Sequence, residues 1–176
     1  MNFAWVKPAV VMAVAALALS ACGRNADVAA VDEAAVKAAQ DYLIENGKKD
    51  GVKTTATGLQ YKVVASGAEG AASPDSNDLV SVHYEGTLTD GTVFDSSFER
   101  GSPAVFAPDQ VVPGWTEALQ MMKVGDEWFL YIPPALGYGD RQAGNIPAHS
   151  VLVFRLKVLG VAPVPGGAKG VGMANG

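Results

Sequence analysis

Apolar residues follow three successive patterns along the chain. Residues 8–19, PAVVMAVAALAL, form an unbroken apolar run. From residue 27 the segment DVAAVDEAAVKAAQDYLIENGKKDG changes to helical spacing, with Val31, Ala35, Ala38 and Tyr42 recurring every three or four positions and alanine supplying high propensity. The spacing predicts a helix over 28–46. Asp27 can cap its start, Asp32 and Glu33 favour its early turns, and Asn46–Gly47 offers a left-handed residue to end it. Its apolar stripe is mostly alanine, which suits a spacer or docking arm; dimerisation is the sharper alternative.

From Leu59 the period becomes two. LQYKVV, then LVSVHYEG with Val80, Val82 and Tyr84 on one face, and later EWFLYIP and SVLVFRLKVLGV read as half-buried antiparallel strands. Between HYEGTL and TVFDSS lies TDGT, where Asp90–Gly91 can take the positive φ angles of a tight hairpin. GTVFDSS, residues 91–97, reads as a buried strand that carries one carboxylate, Asp95, directly behind two apolar side chains. The other helix signal is VPGWTEALQMMKVG, with Trp115, Ala118, Leu119 and Met122 on one face and Pro113 and Gly125 punctuating the ends. The expected fold is therefore α+β: a curled antiparallel sheet around one short helix, preceded by an N-terminal helix. Residues 162–176, APVPGGAKGVGMANG, hold five Gly and two Pro with no apolar period and read as a loose tail.

At 176 residues and 49% apolar composition the chain supports one globular domain with extensions. Residues 1–21 carry a single charge, Lys7, and resemble an export signal; a twelve-residue apolar run is short of the about 20 needed to span a bilayer. LSAC resembles a bacterial lipobox, which makes Cys22 the expected lipid anchor and the membrane a partner, with an incidental cysteine as the alternative. Gly23 stands where Asp favours inner-membrane retention in Gram-negative lipoproteins, so the outer membrane is the expected location in such a host. Residues 22–57 form the anchor and helical linker. Removing residues 1–21 leaves 12 basic against 18 acidic side chains, a formal charge of −6, which disfavours nucleic acid as a partner.

Asp95 raises the question of acid–base chemistry, but a catalytic partner is hard to find. The chain has two histidines, His83 and His149, neither in an HExxH pattern, and it has no GxSxG, no phosphate loop and no metal-ligand cluster. No cofactor is expected. What accumulates beside the turns is a set of aromatic and branched residues: Tyr84, Phe94, Phe106, Val111, Val112, Trp115, Tyr138 and Phe154. By default such residues are core.

The ordered segments VHYEGTLTDGTVFDSS, GSPAVFAPDQVVPGW, LGYGD and IPAHSVLVFRLKVLGV resemble the FKBP-type peptidyl-prolyl isomerases, specifically the Mip-like lipoprotein branch of bacteria, over residues 58–161. The resemblance implies a five- or six-stranded antiparallel sheet and a shallow apolar pocket. Trp115 would form the floor; Tyr84, Phe94, Phe106 and Phe154 the walls; Val111 and Val112 one rim; Ile146 and Tyr138 the other. It also implies that the Val112 amide and Tyr138 hydroxyl bind substrate carbonyls, and that Asp95 is steadied by Tyr84 and Arg100 without exchanging a proton. Pairing is what would make a buried carboxylate tolerable. The implied partners are proline-containing polypeptides of the cell envelope and macrolides of the FK506 and rapamycin type; a homodimer stays open, because the helix at 28–46 is shorter than the arm with which Mip-like proteins dimerise. The competing expectations are a non-catalytic chaperone or adhesion module that binds extended chains, and an inert domain carried by its anchor.

Overall fold

The structure is a computed structural model that describes residues 23–166, with side chains from residue 32 onward. The expected export signal at residues 1–21, Cys22 and residues 167–176 lie outside the described residues. The N-terminal helix, α1, spans Gly23–Gly47. It already runs at Gly23, so Asp27 sits within it and is not its cap. The face it docks is also rotated by one position from the alanine stripe: Ala39 and Asn46 are buried, Ala35, Tyr42 and Leu43 are half-buried, and Ala38 is exposed. Gly47 ends the helix without a positive φ; that conformation falls at Gly51 (φ 76°), which turns the chain into the sheet.

The sequence treats Asn46 as a stop signal, but the fold uses it as a fastener. Fully buried, its Nδ2 donates to Gln60 Oε1 at 2.9 Å, and Gln60 Nε2 donates to the Leu43 carbonyl at 2.8 Å. A thin alanine face gains little from apolar burial. These two bonds hold the helix end against the sheet where packing is weak.

Seven strands follow: β1 (Val52–Thr54), β2 (Gln60–Ala65), β3 (Leu79–Thr87), β4 (Val93–Ser96), β5 (Ala104–Phe106), β6 (Glu127–Ile132) and β7 (Leu152–Ala162). The order is β1-β2-β6-β7-β3-β4, with β5 also on β3, and every pairing is antiparallel. The strands beyond the expected five or six are short: β1 and β5 have three residues each, too few to show an alternation. β3 shows the period of two plainly, burying Val80, Val82, Tyr84 and Gly86 on one face.

Residues 91–97 do not form a buried strand. β4 pairs only with β3, so it is a sheet edge, and Val93 is 42% exposed. The hairpin before it also differs from the two-residue form. Only Gly91 takes a positive φ (89°), Gly91 N donates to the Leu88 carbonyl, and Thr92 N donates to Asp90 Oδ1. This is a type I turn closed by a left-handed glycine, which spares Asp90 the strained conformation.

The second helix, α2 (Pro113–Met121), lies against the concave side of the sheet. Trp115, Ala118, Leu119 and Met122 pack there with Val82, Leu130, Ile132, Leu152, Leu156 and Val158 in one core. After β7 the Val164 N–H donates to Asp78 Oδ1 at 2.8 Å, so the start of the Pro- and Gly-rich segment is fastened to the domain. No helix of the described residues is long and apolar enough to cross a membrane.

Candidate active site

Where α2 meets the sheet, the core opens into a hollow of about 820 Å³. Its floor is Trp115, placed on the first turn of α2 by Pro113 and only 4% exposed. Three rings stand nearly perpendicular to the indole or close to it: Tyr84 from β3 (centroids 5.2 Å apart, 86°), Phe106 from β5 (5.7 Å, 90°) and Phe154 from β7 (5.1 Å, 80°). Phe94 from β4 stands edge-on to Phe154 at 5.5 Å and 86°. Edge-to-face contact sets the positive rim of one ring against the negative face of the next, which fixes orientation as well as burying area.

Five elements far apart in the chain thus converge on one concavity. Val111 and Val112, which lead into α2, line it on one side, and Tyr138 and Ile146 line it on another. The Val112 N–H and the Tyr138 hydroxyl have no hydrogen-bond acceptor among the described residues. The loop carrying Tyr138 and Ile146 is held by its own backbone. Ala143 and Ile146 exchange two N–H···O bonds, and the His149 N–H donates to the Gly139 carbonyl at 2.8 Å. His149 adopts φ 59° to make that closure, an uncommon conformation for a residue with a Cβ.

Asp95 lines the hollow but is less enclosed than its sequence neighbours suggested, with a side chain 43% exposed. Tyr84 Oη donates to Asp95 Oδ2, and Arg100 Nη1 donates to Asp95 Oδ1. Arg100 Nη2 also donates to Tyr84 Oη at 2.9 Å, closing a triangle, and its guanidinium lies 5.5 Å from the Tyr84 ring centroid. Burial pushes the Asp95 carboxyl up, but the hydrogen bonds from Tyr84 and Arg100 and the guanidinium charge outweigh it and hold the pKa below the ordinary value. Burial first, then the bond to Asp95, raises the Tyr84 phenol. Asp95 is therefore an ionised acceptor at neutral pH and a poor proton carrier. Arg100 is absent from the lining of the hollow; it acts from behind, on the carboxylate.

The comparisons with known proteins bear on this arrangement. Residues 70–159 match the family described as FKBP-type peptidyl-prolyl cis-trans isomerase, and residues 10–63 match the domain amino terminal to it. The chain belongs to the FKBP family. Among its relatives, the FKBP-type peptidyl-prolyl cis-trans isomerase FkpA of Aeromonas hydrophila is 51% identical over 125 residues, covering 71% of this chain and 46% of that protein. The outer membrane protein MIP of Legionella longbeachae is 44% identical over 121 residues, covering 68% and 51%. The crystal structure of FkpA from Escherichia coli superposes with a TM-score of 0.74 at 41% identity, covering 80% of this chain and 65% of that one. The chain spans about half the length of these two curated relatives.

For this FKBP-family chain, sequence reasoning missed several residues of the hollow's surroundings, of which three matter most. Gln110, at the end of a single 3-10 turn over Pro108–Gln110, and Arg141, in a loop, both line it, and neither segment is long enough or regular enough to carry a periodic signal. Gly86 lies under two of the walls: a Cβ there would sit 2.5 Å from Phe94 Cε2 and 2.6 Å from Phe154 Cε1. Its position in HYEG, two residues after Tyr84 on the inward face of β3, was the available clue.

Proposed function

We propose that the chain is a peptidyl-prolyl cis-trans isomerase that acts on exported or cell-envelope polypeptides. The observation that carries the reading is the ring-lined hollow over Trp115, with one ionised, firmly paired carboxylate in its wall. Rotation about a prolyl amide has a barrier of roughly 18–20 kcal/mol because it destroys resonance, and it needs no bond to another group. The planar amide has a larger dipole than the twisted one, so water favours the ground state. A dry aromatic surface reduces that preference.

In this reading proline rests on Trp115 between Tyr84, Phe94, Phe106 and Phe154, with Val111 and Ile146 at the rims. The Val112 N–H and Tyr138 hydroxyl hold the flanking carbonyls, and acceleration arises if they grip best when the bond is twisted near a right angle. Asp95, kept charged by Tyr84 and Arg100, supplies a fixed dipole beside the rotating group and transfers no proton. Macrolides that present a proline-like ring flanked by carbonyls, such as FK506 and rapamycin, would occupy the same hollow. The apolar run at 8–19 and the LSAC at Cys22 support export and lipid anchoring, as does the outer-membrane name of the Legionella relative. A homodimer through α1 belongs to the same proposal, and light scattering on residues 23–176 tests it.

The deciding experiment is a protease-coupled assay on Ala-Xaa-Pro-Phe peptides with wild type and the Tyr84→Phe, Asp95→Leu and Phe154→Ala variants. Isomerisation above the spontaneous rate, reduced in each variant, is the expected result. Wild type that suppresses client aggregation yet leaves the trace at its spontaneous rate identifies a pure binder and ends the isomerase reading.

A further inference from the structure

Two charged residues line the hollow, Asp95 and Arg141, and they are differently placed. Asp95 is neutralised within its triangle by Arg100. Arg141 is exposed and makes no ion pair among the described residues. Its neighbour Asp140 is also exposed and does not line the hollow; Gln110 and Asn145, which do, are neutral. The mouth therefore carries one uncompensated positive charge on a chain whose formal charge is −5. Its backbone is anchored beside the phenol's: the Arg141 N–H donates to the Tyr138 carbonyl at 3.3 Å, so both side chains start from one turn.

Resting on the isomerase reading, we propose that Arg141 selects substrates by charge, favouring proline segments with an acidic side chain next to the proline over those with a basic one. A residue adjoining a proline seated on Trp115 lies at the mouth, within reach of a long arginine side chain. Guanidinium and carboxylate can pair there through two parallel N–H···O bonds, whereas an ammonium is repelled. At a separation of about 5–6 Å near solvent, one unit charge changes an equilibrium about twofold to fourfold, so exchanging Glu for Lys, a change of two charges, changes it about fourfold to sixteenfold.

The test measures kcat/KM by exchange NMR for peptides with Glu, Lys or Ala immediately before proline, and for a second series with the same residues immediately after it. Wild type, Arg141→Gln and Arg141→Glu are compared at low and high salt. In at least one series the Glu-to-Lys preference of wild type should exceed that of Arg141→Gln about fourfold to sixteenfold. It should fall further in Arg141→Glu, and the difference should shrink in high salt. The same Glu-to-Lys preference in all three proteins, in both series, overturns the assignment. Peptide affinities from chemical-shift titration keep the two questions apart. If no peptide is isomerised the isomerase reading fails, and the ratio of affinities still decides whether Arg141 selects charge.

Discussion

Replacing Gly86 by alanine probes whether the walls of the hollow rest where the structure places them. On β3, Gly86 lies opposite Phe154 of β7 and Asp95 of β4, with the Phe94 and Phe154 rings folded over its empty face. A methyl group would approach Phe94 Cε2 to 2.5 Å and Phe154 Cε1 to 2.6 Å, against an optimum of about 3.5–4.0 Å. Both rings must retreat by about 1 Å. Overpacking of this kind destabilises by about 1–3 kcal/mol. Gly86 does not have a positive φ, so alanine suits the backbone and gains about 0.4–1 kcal/mol by restricting the unfolded chain. The net expectation is a loss of about 1–2 kcal/mol, read as a lower urea midpoint at unchanged m value.

Displacement of two walls by about 1 Å should also lower kcat/KM for a proline peptide about 10- to 100-fold. Because the methyl strikes Phe94, a Phe94→Leu background should relieve the clash. The stability loss on Gly86→Ala should be smaller there by at least about 0.5 kcal/mol, a coupling that a double-mutant cycle measures. A Gly86→Ala protein with wild-type stability and wild-type kcat/KM would refute the reasoning.

Three further outcomes are expected. Asp95 has a lowered pKa, so its ionised form contributes stability that is complete above about pH 4–5 and is lost as the pH falls through the lowered value; the gap in urea midpoint between wild type and Asp95→Asn should therefore close between pH 6 and pH 2, and a constant gap would mean that the paired charge contributes nothing. Gln60→Ala leaves the buried Asn46 side-chain amide without its partner and removes the second bond to the Leu43 carbonyl; it should cost about 1–3 kcal/mol and speed hydrogen exchange at residues 42–47, and unchanged exchange would show that α1 is held by other contacts. Cys22→Ser should abolish palmitate labelling and move the protein from the membrane to the soluble fraction, and a label that persists places the lipid elsewhere.

The ring set was legible because strands and helices register burial as period. Tyr84 sits two residues after Val82 and four after Val80, and Trp115 shares a helical face with Ala118, Leu119 and Met122; all of these are buried together. The resemblance of ordered segments to the FKBP isomerases then pointed to Phe94, Phe106 and Phe154 as neighbours, and the ring contacts join them to that same cluster.

Period does not report which strand forms an edge, how far one element stands from another, or where an aperiodic loop goes. Asp95 was expected in a buried strand because its neighbours are apolar; pairing of β4 on one side only leaves it 43% exposed. Asn46 was read as a helix stop because its role depends on Gln60, fourteen residues away on another element. Gly86 has no side chain to show a pattern, and its importance lies in what two rings from β4 and β7 do above it. Arg141 is one of several polar residues in its loop, and only folding brings its charge to the mouth. By itself the sequence determined which faces of β3 and α2 leave water, since burial repeats along a regular element at the period of its backbone. Tertiary structure alone decided which of them meet and which charges stay unpaired, because distances between remote segments are set by the sheet's register and curl.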